Sequence, residues 1–219
     1  MNFFEYLATR YEQVLRLLFE HTKITFQALL FAILIGVPIG VAIAMNKHSS
    51  KVVMMVINAI QAIPSLALLG FLIPLIGISE KTAIVLVVMY AILPIVKNTF
   101  VGLTNISPET IEVSKGLGLT KWQTLCQVQI PMSTPVIMAG IRISAVNSVG
   151  LVTIASYAGG KGLGFLVYSG INTVDINMIL AGAIPAALLA LVMDFVVGRI
   201  EKIIVPLGIQ SDDKGKKTN

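Results

Sequence analysis

Five long apolar runs leave this chain few ways to fold. They occupy about 24–45, 52–76, 82–101, 134–158 and 176–197. A helix needs about 20 mostly apolar residues to cross roughly 30 Å of hydrocarbon, and each run meets that need. The 219 residues are 56% hydrophobic and only 12% charged, about half the roughly 25% charge of a soluble domain. A polar skin is therefore out of reach. The same figures exclude disorder and a coiled coil, and a lone cysteine, Cys126, excludes a disulfide scaffold. A membrane β-barrel would show short alternating segments in place of unbroken runs. The sequence specifies an all-α fold, a polytopic membrane helical bundle of five transmembrane helices. Pro38, Pro64, Pro74, Pro94 and Pro185 fall inside the runs. Neighbouring helices can re-satisfy the carbonyls that prolines free, so kinked spans are expected.

The net charge of +5 reads as orientation, with no need of nucleic acid, because basic residues collect on the cytoplasmic side of membrane proteins. With the C-terminus inside, ten Lys and Arg residues flank the inner face, among them Lys47, Lys51, Lys97, Lys115 and Lys121. Five lie outside: Arg10, Arg16, Lys23, Lys81 and Lys161. The expected topology in a cell membrane is N-terminus out and C-terminus in. Residues 1–23 read as an amphipathic helix at the outer interface or against the bundle, because Phe3, Leu7, Tyr11, Val14 and Leu18 recur at helical spacing. Acidic residues interrupt that segment, which argues against a signal peptide. The expected organisation is this helix, a transmembrane domain over 24–209 and a polar tail over 210–219. No internal repeat is visible.

The longest polar interval, 102–133, lies between the third and fourth runs and faces the cytoplasm in this topology. Ser107-Pro108-Glu109 is a helix start, with a Ser cap, Pro in the first position and an acid where the dipole favours one. Gly118 offers a stop, and Thr120 can cap a second short helix through Lys121, Trp122, Leu125 and Val128. Pro131 begins the next span.

This interval resembles the cytoplasmic signature of permease subunits of bacterial ABC importers, E-A-A-x-x-x-G-x9-I-x-L-P. Here Glu112-Val113-Ser114 stands for the first three residues, Gly118 for the glycine, and Val128-Gln129-Ile130-Pro131 for the end, with all spacings kept. Val113, Ser114, Val128 and Ile130 depart from the pattern by small or apolar replacements. Three further stretches are similar to small permeases of glycine betaine, carnitine and choline importers: Gln61-Ala62-Ile63-Pro64-Ser65-Leu66-Ala67, Leu93-Pro94-Ile95-Val96-Lys97-Asn98-Thr99 and Ala139-Gly140-Ile141-Arg142. The glycine-rich stretch from Gly159 to Gly164 is similar to them too.

The resemblance implies a type I ABC importer permease (MetI-like) fold and a transport subunit, not an enzyme, with no catalytic residue of its own. It implies a coupling helix seated on a cytoplasmic ATPase dimer, with Glu112 facing a basic residue of the ATPase, Gly118 making the turn, and Lys121, Trp122 and Leu125 near the contact. ATP and Mg would be bound by that partner and no cofactor by this chain, which carries no G-x-x-x-x-G-K-[ST] phosphate loop. A second permease subunit (the same or a related chain), an extracytoplasmic binding protein and membrane lipid complete the implied partners.

Other polar residues carry two readings each. Tyr90, Asn147, Thr153, Ser156 and Tyr157 are pathway candidates or helix packing. Arg142 and Asp194 are a buried charge pair tying two spans, or two side chains snorkelling to the interface. Gly36 with Gly40, and Gly140 with Ser144 and Ser148, make small-residue faces for a subunit interface or for packing within the chain. His21 and His48 are isolated, and no metal-ligand set is present. The 159–164 stretch is an outer gate, a docking surface or a plain loop. The alternatives to an osmoprotectant permease are a permease for methionine or polar amino acids and a stand-alone secondary transporter.

Overall fold

The computed structural model describes residues 2–159 and 161–205, apart from the side chains of 47 and 48. Gly160, the tail at 210–219 and the end of the expected 24–209 domain lie outside the described residues, as do the side chains of Lys47 and His48. The described chain is helical, and its elements are α1 (Phe3–Met45), α2 (Lys47–Ala62), α3 (Ser65–Ile76), α4 (Glu80–Thr104), α5 (Pro108–Gly116), α6 (Lys121–Thr124), α7 (Ile130–Ala155), α8 (Gly164–Thr173) and α9 (Ile176–Ile204). The helices α1, α4, α9 and the stretch from α6 through α7 are each long and apolar enough to span a membrane, and α2 with α3 makes a fifth, bent span.

The helix α1 begins at a capping box in which Asn2 accepts from the Glu5 N–H at 2.9 Å and Glu5 accepts from the Asn2 N–H at 3.1 Å. Its only departure from helical geometry is a kink at Arg10. No break occurs near residue 23. At 1.5 Å per residue the helix is about 64 Å long, twice the hydrocarbon thickness, so its N-terminal half extends beyond the span. That half packs against the bundle: Tyr6, Val14 and Leu17 are buried with Leu163, Leu166, Ala181 and Ala186.

The second apolar run is not one kinked helix. It is two, α2 and α3, at 96° to each other. Pro64 has no N–H to continue α2, and it pushes the preceding Ile63 out of helical geometry. Pro64 is extended (φ −58, ψ 136) and caps α3. The Tyr90 hydroxyl donates to the Ile63 carbonyl freed at the break, which replaces the lost helical bond.

At the centre is α4, held between α1 and α7. Both contacts use small residues. A Cβ on Gly36 would lie 3.0 Å from Ile95, and one on Gly40 would lie 2.5 Å from Thr99. A Cβ on Gly140 would lie 2.7 Å from both Asn98 and the Pro94 carbonyl. One turn on, Ser144 donates to the Ala91 carbonyl at 2.7 Å. Both small-residue faces therefore pack within the chain, and helices approach closely where no side chain intervenes.

The fourth span does not start at Pro131. The helices α6 and α7 are joined through a π-helical turn, Leu125–Gln129, into one rod that continues to a 3-10 turn, Ser156–Ala158. The Pro131 ring cannot sit against the carbonyl four residues back. The helix widens there, and the Ile130 N–H bonds to Leu125 five residues earlier. The expected separate short helix is thus the end of a span.

One element has no counterpart in the sequence reading. The ten-residue α8 is too short for a span, and it packs one face against α7 and α9. A Cβ on Gly164 would lie 2.1 Å from the Thr153 carbonyl, and one on Gly182 would lie 2.7 Å from the Leu163 carbonyl. Asp175 then caps α9 by accepting from the Met178 N–H at 3.2 Å.

If the α1–α4 contact sets the packing, Gly40→Ala must push Thr99 aside and lower detergent stability by about 1–3 kcal/mol. Gly70→Ala, with nothing within 4 Å of its Cβ, should be neutral or slightly stabilising in the same thermal unfolding assay.

Candidate functional site

The motif loop is built as its caps dictate. Ser107 accepts from the Thr110 N–H at 3.3 Å and starts α5 at Pro108. The Glu109 carboxyl is held below the usual carboxylate range by its own backbone N–H and by the Ser107 hydroxyl. Gly118 turns the chain at φ +79, where a side chain would be strained. Its N–H bonds to the Lys115 carbonyl at 2.9 Å. Thr120 and Gln123 form a capping box for α6, with bonds of 3.3 and 2.8 Å.

The exposed surface of this loop carries Glu112, Gly118, Lys121 and Trp122. Two apolar side chains that the sequence reading left aside join them: Val113 is 63% exposed and Leu117 is 76% exposed, beside Trp122 at 65%. Leu125 is a correction. It was expected near a partner, yet it is 1% exposed. With Leu103, Leu119 and Met45 it lines a 280 Å³ cleft beneath the loop, so it anchors the loop to the ends of α1 and α4. Spacing alone puts residues three apart near one face, so the exposed Trp122 gives no sign that Leu125 is buried.

A second site lies at the middle of the spans. Gln61 near the α2–α3 break, Tyr90 in α4 and Asn147 in α7 line one cleft of about 350 Å³ with Gly150, Leu151 and Ile154. The structure thus brings two of the pathway candidates together and adds Gln61, which only the break at Pro64 aims toward them. The other three do not belong to this cleft. Ser156 is buried, and its hydroxyl lies 3.1 Å from the Val152 carbonyl and 2.7 Å from the Lys161 carbonyl. Thr153 bonds to the Val149 carbonyl at 3.2 Å, and its own backbone carbonyl packs against Gly164 of α8. Tyr157 sits at the end of the bundle far from the motif loop, with its ring 4.2 Å from that of Tyr168. The apolar periodicity of α7 is too weak to separate its faces, and α8 decides which face is covered.

That far end is tied by two polar centres. Glu80, at the start of α4, accepts from Lys23 at 3.0 Å and from Lys161 at 2.6 Å. The bond to Glu80 raises the Lys161 ammonium above the ordinary lysine range. His21 is fully buried. Its Nδ1 accepts the Leu163 N–H at 3.2 Å, so its Nε2 carries the proton and donates to the Val149 carbonyl at 3.0 Å. One side chain of α1 therefore fixes both α7 and the 161–163 loop. The sequence could show only an isolated histidine.

Arg142 and Asp194 do pair. Nε and one terminal nitrogen of the guanidinium meet the two carboxylate oxygens at 2.5 and 2.6 Å, the bidentate geometry that arginine favours. The pair is not buried within the chain: its side chains are 42% and 41% exposed. It lies on the flank between α7 and α9, where Gly198 leaves room for the guanidinium at 3.4 Å from its Cβ position.

Residues 36–207 match the family model described as "Binding-protein-dependent transport system inner membrane component". The chain is 39% identical over 191 residues to the glycine betaine/carnitine/choline transport system permease protein OpuCB of Bacillus subtilis, covering 87% of this chain and 88% of that one. It is 37% identical to the choline transport system permease protein OpuBB of the same organism, covering 94% and 95%. It is 38% identical to the osmoprotectant import permease protein OsmW of Salmonella typhimurium, covering 96% and 100%. Among solved structures, an inward-facing form of the methionine ABC transporter MetNI superposes with a TM-score of 0.79 at 23% identity, over 88% of this chain and 96% of that one. That likeness shows a shared fold.

Two outcomes test the tethers. Arg142→Asp should reduce the yield of folded protein, and adding Asp194→Arg should restore it, as read by size-exclusion profile. His21→Leu strands the Leu163 N–H, an unpaired buried donor costing about 1–3 kcal/mol. It should lower the thermal midpoint, and His21→Gln should recover part of the loss.

Proposed function

This chain belongs to the binding-protein-dependent transport system inner membrane components, and on that premise we propose that it is the transmembrane subunit of an ATP-driven importer for quaternary-ammonium osmoprotectants, the glycine betaine, carnitine and choline class. One observation carries the substrate class: relatives named for those solutes are 37–39% identical over 87–94% of the chain. The likeness to the methionine transporter is one of fold and does not favour methionine. A stand-alone secondary transporter has no support in a family defined by dependence on a binding protein.

The working unit in this reading contains two permease subunits, two cytoplasmic ATPases that bind ATP and Mg²⁺, and an extracytoplasmic binding protein. The bias of Lys and Arg supports placing the motif loop and C-terminus in the cytoplasm, with the N-terminus outside. The exposed Val113, Leu117 and Trp122 then form the apolar centre of an ATPase-docking surface, with Glu112 and Lys121 as its charged rim. The α6–π–α7 rod gives a mechanical route from that surface. A displacement at Trp122 is delivered along one continuous helix to Asn147 in the mid-span cleft. The Glu80 and His21 tethers hold the opposite end, so they are the contacts that outward opening must loosen.

Reconstitution of the complete complex in proteoliposomes tests this. ATP should drive uptake of labelled glycine betaine, carnitine or choline. Trp122→Ala and Leu117→Asp should cut solute-stimulated ATPase activity at least tenfold while the permease still folds. Uptake of a polar amino acid with none of the three would overturn the substrate class. Full stimulation in both variants would overturn the docking surface.

A further inference from the structure

We infer that Gln61, Tyr90 and Asn147 form a transient solute subsite at mid-membrane, selective for a solute that carries a methylated ammonium. The inference rests on the transport reading above and deepens it. Three spans contribute one polar residue each, and each residue lies near the middle of its span. Asn147 stands near the centre of the 134–158 apolar run, Tyr90 near the centre of α4, and Gln61 beside the break that halves the second span. All three line one cleft of about 350 Å³, within the size range of small-molecule sites.

Two carboxamides at this depth demand an explanation. Among the described residues, no hydrogen bond joins the side chain of Gln61 or Asn147 to the rest of the chain. Uncompensated polar groups are expensive in hydrocarbon and usually line a water-filled or substrate pathway. Both residues are exposed on this chain, and in the transport reading above that open side is the pathway. The Tyr90 hydroxyl is engaged with the Ile63 carbonyl. What Tyr90 offers the cleft is its ring, and the same bond holds the chain break that aims Gln61.

The chemistry of the lining then selects the ligand. No charged residue lines the cleft, so the solute, zwitterion or quaternary cation, is held without a counter-charge. A carboxylate can accept from the two carboxamide NH₂ groups. A methylated ammonium donates no hydrogen bond and asks only for an aromatic face. The absence of charge also keeps the contact weak, as passage requires.

The test uses Gln61→Cys and Asn147→Cys in the complete reconstituted complex, with Leu188→Cys on the exposed apolar face of α9 as control. The unmodified protein, whose only cysteine is Cys126, sets the baseline. The probe is a trimethylammonium-ethyl methanethiosulfonate, applied during ATP turnover. Both cleft variants should label at least tenfold faster than Leu188→Cys. Glycine betaine should slow that labelling at least fivefold, and glycine, which lacks the methyl groups, should leave it unchanged. Labelling no faster than the control, or equal protection by glycine, overturns the subsite. Uptake of labelled glycine betaine, carnitine and choline by the unmodified complex is measured alongside. If uptake is present and protection absent, the subsite alone fails. If uptake is absent, the transport reading fails and takes the subsite with it.

Discussion

The close approach of α1 and α7 to α4 is the contact on which the other features depend. In lipid, helices gain little from hiding apolar surface, so association must come from tight packing and interhelical hydrogen bonds. Gly36 and Gly40 supply the first on one side of α4, and Gly140 and Ser144 supply both on the other. Pro94 sits between them. It disrupts the local hydrogen-bond ladder of α4, and its carbonyl is taken by Asn98 at 2.8 Å. The neighbouring Ala91 carbonyl is taken by Ser144.

With α4 fixed, the polar centres fall into place. Tyr90 on α4 reaches the α2–α3 break, and Glu80 at the head of α4 gathers Lys23 and Lys161. Each polar group serves a junction that apolar packing leaves undetermined. His21 is the clearest case: its two ring nitrogens have opposite roles, so a single neutral imidazole holds two backbone segments in one geometry. Removing either partner would leave a buried polar atom, which is why such a residue specifies geometry more than it adds stability.

Much of this was legible in the chain, and the rest was hidden for identifiable reasons. Apolar runs located the spans because the bilayer sets their length. The Ser107, Gly118 and Thr120 signals located the motif loop because capping is local chemistry. The 96° break at Pro64 was not separable from a kink, since only Tyr90, 26 residues away in sequence, decides where the Ile63 carbonyl goes. The helix α8 was missed because ten residues with two glycines carry no span signal. The inward face of Leu125 is not legible, because a motif gives positions along the chain and Leu125 lies only three residues from the exposed Trp122. Asn147 and Ser156 looked alike as polar residues in one span, and only packing by α8 turned one into a structural hydroxyl.

The same π turn explains how a loop surface and a mid-span cleft can act as one device. A flexible connection between α6 and α7 would dissipate any displacement at Trp122. A perfect α-helix would meet the Pro131 ring with a clash or a kink. Widening one turn removes the clash and keeps the rod continuous from Lys121 to Ala158. Leu125 begins that turn and is buried, so the joint is gripped by the bundle on one face and presents the exposed Cys126 on the other. The exposed Trp122 stands one turn before the joint, and Asn147 about five turns after it at 3.6 residues per turn. In the proposed function a push on the loop reaches the cleft along this one helix, which Gly140 and Ser144 hold close against α4.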